Sequence, residues 1–315
     1  MEESVLQFKV TSLVVFSLLF AAACEVGSRP EDGGFPRVDS GPEAIDAATP
    51  RDSGPATDAD IRLDDVLIYA HSRDTLFEFS PYSNTVTEIG QFRFSDGTPA
   101  PEMLDLAVDG AGRIFTISYM SVYVVDSSTA EVVPAMDYRA DFDPVQDPIF
   151  GLSFIPPDQS PSGVELLIGA TNSGELFELD LLTDRLVARG RYPGNWGSSG
   201  DITSVEGLGT FATLRQRDAS GRPIDGEPDA IAQIELPATG DAIVRIIGTT
   251  RTDTGTSFTA LFGLGYWGRD LYGFTRDGQL LQIDRETALT TIVSDSTGAL
   301  EFYGAGVTTT VPFLI

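Results

Sequence analysis

Cysteine, histidine and lysine are almost missing from this chain of 315 residues: Cys24, His71 and Lys9 each stand alone. A single cysteine rules out an internal disulfide, and with a single histidine it cannot supply a His/Cys zinc site, a two-histidine metal centre or a cysteine-protease dyad within a folded domain. A Ser/His/Asp triad would have to use His71, which falls at a strand-to-turn boundary and reads as a solvated turn residue. No Gly-rich loop opens a helix to cradle phosphate, so nucleotide binding has no support, and no cofactor or metal site is expected. Positive charge is scarce too: 20 Lys and Arg face 47 Asp and Glu, for a net charge of -27. A nucleic-acid partner needs clustered cations to displace counterions from phosphate, and here the arginines are scattered. The acidity reads as a solubility device.

The one marked apolar run, Val10 to Phe20, is preceded by Lys9 and followed by Ala21-Ala22-Ala23-Cys24. It is shorter than the ~20 residues a membrane-spanning helix needs, and the small residues after it fit a cleaved secretory signal. Ala-Ala-Ala-Cys resembles the lipobox of bacterial lipoproteins, although Ala21 stands where that family usually has Leu, and Glu2 and Glu3 are unusual in a basic leader. The resemblance implies that residues 1–23 are a signal peptide and that Cys24 carries a diacylglyceryl group holding the chain on a membrane. The alternative is ordinary cleavage near Ala23 with a free thiol, or an uncleaved leader.

Residues 24–64 are rich in Gly, Pro, Ala, Ser and Asp, and repeat the phrase Pro-Arg-x-Asp-Ser-Gly-Pro at Pro36 and, one residue shorter, at Pro50. Too few large apolar side chains are present to offset the entropy of ordering, so this is a disordered acidic tether. Its reach by flexible-chain scaling is roughly 35 Å, enough to hold a domain clear of a lipid surface.

From Asp65 to Ile315 short apolar and aromatic stretches alternate with Gly, Asp, Asn, Ser and Pro turns, and no segment keeps a 3.6-residue period; the domain is all-β. One phrase recurs. Leu271-Tyr-Gly-Phe, a turn at Arg276-Asp277-Gly278, a strand to Ile283, a polar turn from Asp284 and a last strand to Val293 are matched at Leu167 to Thr183 and again at Leu67 to Ser83. A fourth copy, Ile114 to Val125, keeps the Asp-x-x-Thr turn at Asp126 to Thr129; a fifth, around Thr210 to Leu236, carries an insertion from Gln216 to Asp229. Every copy but the first follows a further apolar strand ending near glycine: Met103 to Val108, Phe150 to Ile155, Asp201 to Val205 and Phe258 to Leu264. Four strands per unit at a period of about 50 residues predict a β-propeller of five four-stranded blades, with six blades or a sandwich as the alternatives. The first copy lacks its preceding strand, and Leu300 to Val307 is such a strand with no copy after it. These two leftovers are expected to pair and close the ring, with Val311 to Ile315 packed against it.

The stretch Val122-Tyr-Val-Val-Asp-Ser-Ser-Thr-Ala-Glu-Val-Val133 is similar to the strand-turn-strand core of YVTN-type repeats in quinoprotein-like propellers, although the tetrapeptide itself is absent. That resemblance implies a propeller and extracytoplasmic binding. It implies no enzyme, because the cofactor residues of the family's redox members have no counterpart here.

Innermost strands or their ends carry Asp105, Asp109, Asp201, Glu206 and Glu301. A convergent pair about 5 Å apart, or about 6.5–9.5 Å apart, would supply the two carboxylates of a glycoside hydrolase. Asp109 before Gly110 and Glu206 before Gly207 also read as turn residues, and an acidic protein places some carboxylates at strand ends by chance. Trp196, Tyr266 and Trp267 read as loop aromatics that either stack on a ligand or pack at the rim. Asp141, Asp143 and Asp147 begin like a calcium loop but lack its glycine and its terminal glutamate, and read as an acidic surface loop. The expected protein is a lipid-anchored binding or scaffolding module of the bacterial periplasm or cell surface, with a protein or glycan partner. The alternative is a glycan-active hydrolase using Asp105, Asp201 or Glu301; catalysis is left unassigned.

Overall fold

A computed structural model describes residues 62–139, 147–297 and 301–313. Cys24, the signal peptide, nearly all of the tether, Asp141 and Asp143 lie outside these residues. What is described is five four-stranded antiparallel sheets in a ring, with a single 3-10 turn at Leu63–Asp65. The first blade holds β1 (Ile68–His71), β2 (Thr75–Ser80) and β3 (Thr85–Gln91). The second holds β4 (Asp105–Val108), β5 (Ile114–Ile117), β6 (Ser121–Val125) and β7 (Val132–Asp137). The third holds β8 (Ile149–Ile155), β9 (Leu166–Thr171), β10 (Glu175–Asp180) and β11 (Arg185–Arg191). The fourth holds β12 (Trp196–Val205), β13 (Gly209–Gln216), β14 (Ala230–Glu235) and β15 (Ile243–Thr249), and the fifth β16 (Leu261–Trp267), β17 (Asp270–Thr275), β18 (Leu280–Asp284) and β19 (Thr290–Ser294). The last strand, β20 (Gly304–Gly306), completes the first blade by pairing with β1, Ala305 opposite Ala70.

Burial grades outward along each blade. Strand β4 is buried at every position, whereas β3 and β15 alternate exposed and half-buried residues. The innermost strands β20, β4, β8, β12 and β16 meet one another around the axis, and the glycines that punctuate them follow from that crowding. A Cβ on Gly200 would lie 2.5 Å from the Phe262 Cα of the next blade, and one on Gly304 would run into Asp105 Oδ1 and, at 2.7 Å, His71 Nε2. Backbones approach here as only glycine permits.

The repeated Asp-x-x-Thr turn has a clear purpose. In Asp126, Asp180 and Asp284 one carboxylate oxygen accepts the N–H groups two and three residues on, and the side-chain hydroxyl of Ser128, Thr183 or Thr287 adds a further bond. These bonds, that of Ser128 first, pull Asp126 down to about 2. The residue that follows each turn, Ala130, Asp184 or Ala288, takes a positive φ of 55–59° and feeds the outer strand.

Several boundaries differ from the sequence reading. Strand β20 is shorter than Leu300 to Val307, β16 lies further along than Phe258 to Leu264, and β12 begins at Trp196 through a bulge between Ser198 and Ile202. Trp196, Tyr266 and Trp267 therefore belong to strands rather than loops. Bulges shift the register by a residue without disturbing the apolar pattern, so the pattern alone does not reveal them.

Closure is fixed by side chains as well as by pairing. Phe302 is fully buried between Phe274 of the fifth blade (ring centroids 5.1 Å apart) and Phe77 of the first (6.0 Å), both edge to face. Beyond β20 the chain crosses one face of the ring and touches the four other blades. Thr308 Oγ1 donates to the Asp109 carbonyl, Thr309 Oγ1 to Glu165, Glu206 N to the Thr309 carbonyl, and Phe313 bridges to Gly268. Phe302→Ala is expected to cost about 3–5 kcal/mol, because it removes the ring from both sides of the seam. Urea denaturation of the full chain checks this; a loss below about 1 kcal/mol would mean that the seam is held by strand pairing alone.

Candidate functional site

The C-terminal segment crosses one face of the ring; the other, where β4 and β20 begin, is the mouth of the channel, and two carboxyl groups stand buried on the axis beneath it. Asp105 opens β4, Asp201 sits in the bulge of β12, and both are wholly buried and hydrogen-bonded to each other. Asp105 Oδ1 accepts Leu106 N (2.7 Å) and Oδ2 accepts Leu152 N (2.5 Å). Asp201 Oδ1 accepts Ile202 N (2.6 Å), while Oδ2 accepts Leu264 N and, at 3.3 Å, Ala305 N. Each of the five innermost strands thus gives one backbone N–H to the dyad.

The electrostatics follow from this burial. Desolvation first, and then the neighbouring Asp201 charge, raise Asp105 well above the carboxylate range; desolvation likewise raises Asp201, while its backbone N–H partners oppose the shift. Two full charges in hydrogen-bond contact would repel by roughly 5 kcal/mol at an effective dielectric of 20. Keeping one proton at pH 7 costs a carboxyl of ordinary pKa about 4 kcal/mol. With desolvation added to the repulsion, the shared proton wins, and the pair titrates as a unit.

His71, at the end of β1, is fully buried rather than solvated. Its Nδ1 lies 2.6 Å from the Ser72 carbonyl, which can only accept, so Nδ1 carries the proton and Nε2 keeps a free lone pair with no partner. A second buried clip, unnoticed in the sequence, is Asp229. It accepts Leu261 N from the next blade (2.8 Å) and is paired with Arg215 (3.1 Å). It closes the insertion of the fourth blade, and its only sequence signal is its place directly before β14.

Glu301 does not join the dyad. It lies at the mouth, where it accepts from Tyr303 Oη (2.9 Å) and faces Arg73 (3.7 Å); Arg73 also pairs with Glu102 (2.9 Å), donates to Tyr303 Oη (2.7 Å) and sits 4.8 Å above the Tyr303 ring. Ser72, Arg73, Asp74, Glu102 and Glu301 line a cleft of ≈ 480 Å³ there. Asp109 and Glu206 lie on the opposite face. Asp109 Oδ1 accepts Ala111 N and Arg113 N in a tight turn, and Asp147 accepts Ser173 N. The three aromatics stand apart. Tyr266 is buried with its hydroxyl on the Gly268 carbonyl, Trp267 donates to the Leu63 carbonyl, and Trp196 borders a separate cleft of ≈ 200 Å³ with Arg191 and Arg217. The structure therefore unites Asp105 with Asp201 and separates Glu301, Trp196, Tyr266 and Trp267. Among the described residues no three His, Cys, Asp or Glu side chains form a metal-binding group, and no helix is long and apolar enough to cross a membrane.

The carboxyls of the dyad touch, so they are closer than either glycosidase separation and leave no room between them for a sugar carbon or a water. Ring, seam and axial clip together define a five-bladed β-propeller. No protein-family profile matches the chain, and no curated protein matches it. Among solved structures it is similar to a protein of unknown function from Bacteroides caccae (10% identity, 77% of this chain and 98% of that one, TM-score 0.40). It is also similar to a chain of the nidogen/laminin complex (10%, 77% and 97%, 0.44) and to a protein of unknown function from Bacteroides thetaiotaomicron VPI-5482 (12%, 75% and 58%, 0.42). Likenesses this distant carry no statement about ligand or activity.

Two consequences can be measured. Removing the acceptors with Asp201→Ala strands the N–H groups of Ile202, Leu264 and Ala305 and is expected to cost at least about 3 kcal/mol in urea denaturation. Burial lowers His71 to about 4, against about 6.5 unfolded. Its neutral form therefore contributes stability that is full above about pH 6.5 and lost as pH falls toward 4, on the order of 3 kcal/mol. The raised dyad runs the opposite way, its share being full below the ordinary carboxylate value and lost as pH rises through the raised one. His71→Gln should remove the acid loss specifically; a variant whose stability still fell between pH 6.5 and 4 as steeply as the parent's would count against a buried neutral imidazole.

Proposed function

We propose that this protein is a lipid-anchored extracytoplasmic binding module that takes its ligand at the open mouth of the propeller channel. The observation that carries the site is the difference between the two faces. The C-terminal segment Val307 to Phe313 lies across one, beside a cleft of ≈ 360 Å³ at Gln159 and Gln233, whereas the other keeps a larger cleft of ≈ 480 Å³ walled by Ser72, Arg73, Asp74, Glu102 and Glu301. A concave cleft with a few convergent polar groups on a rigid scaffold is the usual form of a recognition site. The anchor rests on Ala-Ala-Ala-Cys24 and on the Gly/Pro/Asp tether that follows it. One acyl chain gives only marginal membrane binding, and the two or three of a lipidated amino-terminal cysteine give stable attachment. The buried Asp105–Asp201 pair does not favour a glycan hydrolase, since its oxygens are spent on backbone N–H groups, and Glu102 and Glu301 are both turned to Arg73.

Expressed in a bacterial host, the full chain should sediment with membranes, and Cys24→Ser should release it or leave the precursor uncleaved. Normal processing with unchanged membrane retention would refute the anchor. For the site, the full chain is offered a panel of oligosaccharides and short peptides. Binding should be lost in Tyr303→Ala and kept in Trp196→Ala; the reverse pattern would move the site to the fourth blade.

A further inference from the structure

The chemistry of the ligand is written in the side chain that now fills the mouth. We infer that the cleft recognises a guanidinium group, an arginine side chain of a basic peptide, and that Arg73 is its internal stand-in; this rests on the mouth being the ligand site. The wall is fixed. Tyr303 is only 9% exposed, its N–H donates to the His71 carbonyl (2.8 Å), and Phe262 stands behind its ring with centroids 6.1 Å apart. On this shelf the Arg73 guanidinium lies over the aromatic ring, with Glu102 at 2.9 Å and Glu301 at 3.7 Å, so a planar cation there gains from the ring face and from two neighbouring carboxylates.

The plug itself is loose. The Arg73, Glu102 and Glu301 side chains are 56%, 36% and 45% exposed, and ion pairs so open to water are worth about 0–1 kcal/mol. Swinging Arg73 into solvent gives up these weak pairs together with its hydrogen bond to Tyr303 Oη and its place over the ring, contacts that a guest cation would regain, while the shelf stays in place. Charge decides what replaces it. Without Arg73 the lining keeps Asp74, Glu102 and Glu301, on a chain of net charge -27, so an anionic guest meets repulsion both near and far. A cation is drawn in, and one with a planar fork and a flat face repeats every contact that Arg73 makes. A volume of ≈ 480 Å³ leaves room for the flanking residues of a peptide.

The test uses the full chain and the tripeptide Gly-Arg-Gly, with Gly-Glu-Gly and maltotriose as the anionic and neutral probes, followed by calorimetry. Arg73→Ala should bind Gly-Arg-Gly roughly threefold to tenfold tighter than the parent, because the competitor is gone. Adding Tyr303→Ala or Glu301→Gln to Arg73→Ala should cancel that gain, and melting of Arg73→Ala at the parent temperature shows that the gain is not a folding effect. Affinity unchanged in Arg73→Ala, or a gain that survives Tyr303→Ala, would overturn the inference, since diffuse surface charge would then explain the binding. Maltotriose or Gly-Glu-Gly bound in its place and lost with Tyr303→Ala would overturn the guanidinium assignment and leave the mouth as the site. Binding of all three probes that ignores Tyr303, or binding of none to either protein, would remove both.

Discussion

Five edges turned toward one axis set the problem that the rest of this structure answers. In each blade the innermost strand pairs on one side only, so its inward N–H groups need acceptors in a channel from which Asp105, Asp201 and their neighbours are shielded from water. Two carboxyl groups supply them, receiving Leu106, Leu152, Ile202, Leu264 and Ala305, one from every blade. Charge-assisted bonds of this kind are worth about 1.5–3 kcal/mol each and offset desolvation of the shared negative charge, while a second charge would add its own desolvation and the mutual repulsion. The shared proton and the five donors are therefore parts of one solution.

That axial clip also explains Gly304. The donors Leu106, Leu152, Ile202, Leu264 and Ala305 all carry side chains, but Gly304, next to Ala305, lies so close to Asp105 and His71 that a Cβ there has no room. Strand β20 is only three residues long for the same reason: it need carry little more than Ala305 to the dyad and pair with β1. The strength of the seam lies beside it, where Phe302 bridges the first and fifth blades, and beyond it, where the terminal segment ties the ends of the other blades together.

From this closure comes the difference between the two faces of the ring. The chain enters β20 at the mouth and leaves it on the opposite face, so the segment after β20 lies across that face, and Glu301, just before it, lines the cleft. The segment that closes the ring thus also carries the proposed site. Tyr303 is held beside the closing strand by its N–H bond to the His71 carbonyl and lies under the Arg73 guanidinium, so a guest replacing Arg73 in the proposed site would meet a preformed aromatic surface.

The repeat was legible in the chain because its signals are local. The Asp-x-x-Thr turns at Asp126, Asp180 and Asp284 take their bonds from residues within five positions, and the alternation of apolar strands with glycine follows from each blade packing between neighbours. Blade number and the partnership of β20 with the first blade followed from counting such units and finding two without mates. Only tertiary structure decided the rest. Asp105 and Asp201 looked like any carboxylates at strand ends until the ring brought residues 96 positions apart into contact on one axis. His71 matched a turn position by its place in the repeat, yet ring closure lays Gly304 against it and buries it. Arg73 and Tyr303 lie at opposite ends of the domain, and their meeting depends on the seam, because an interaction set by where the chain closes leaves no trace in the spacing of residues along it.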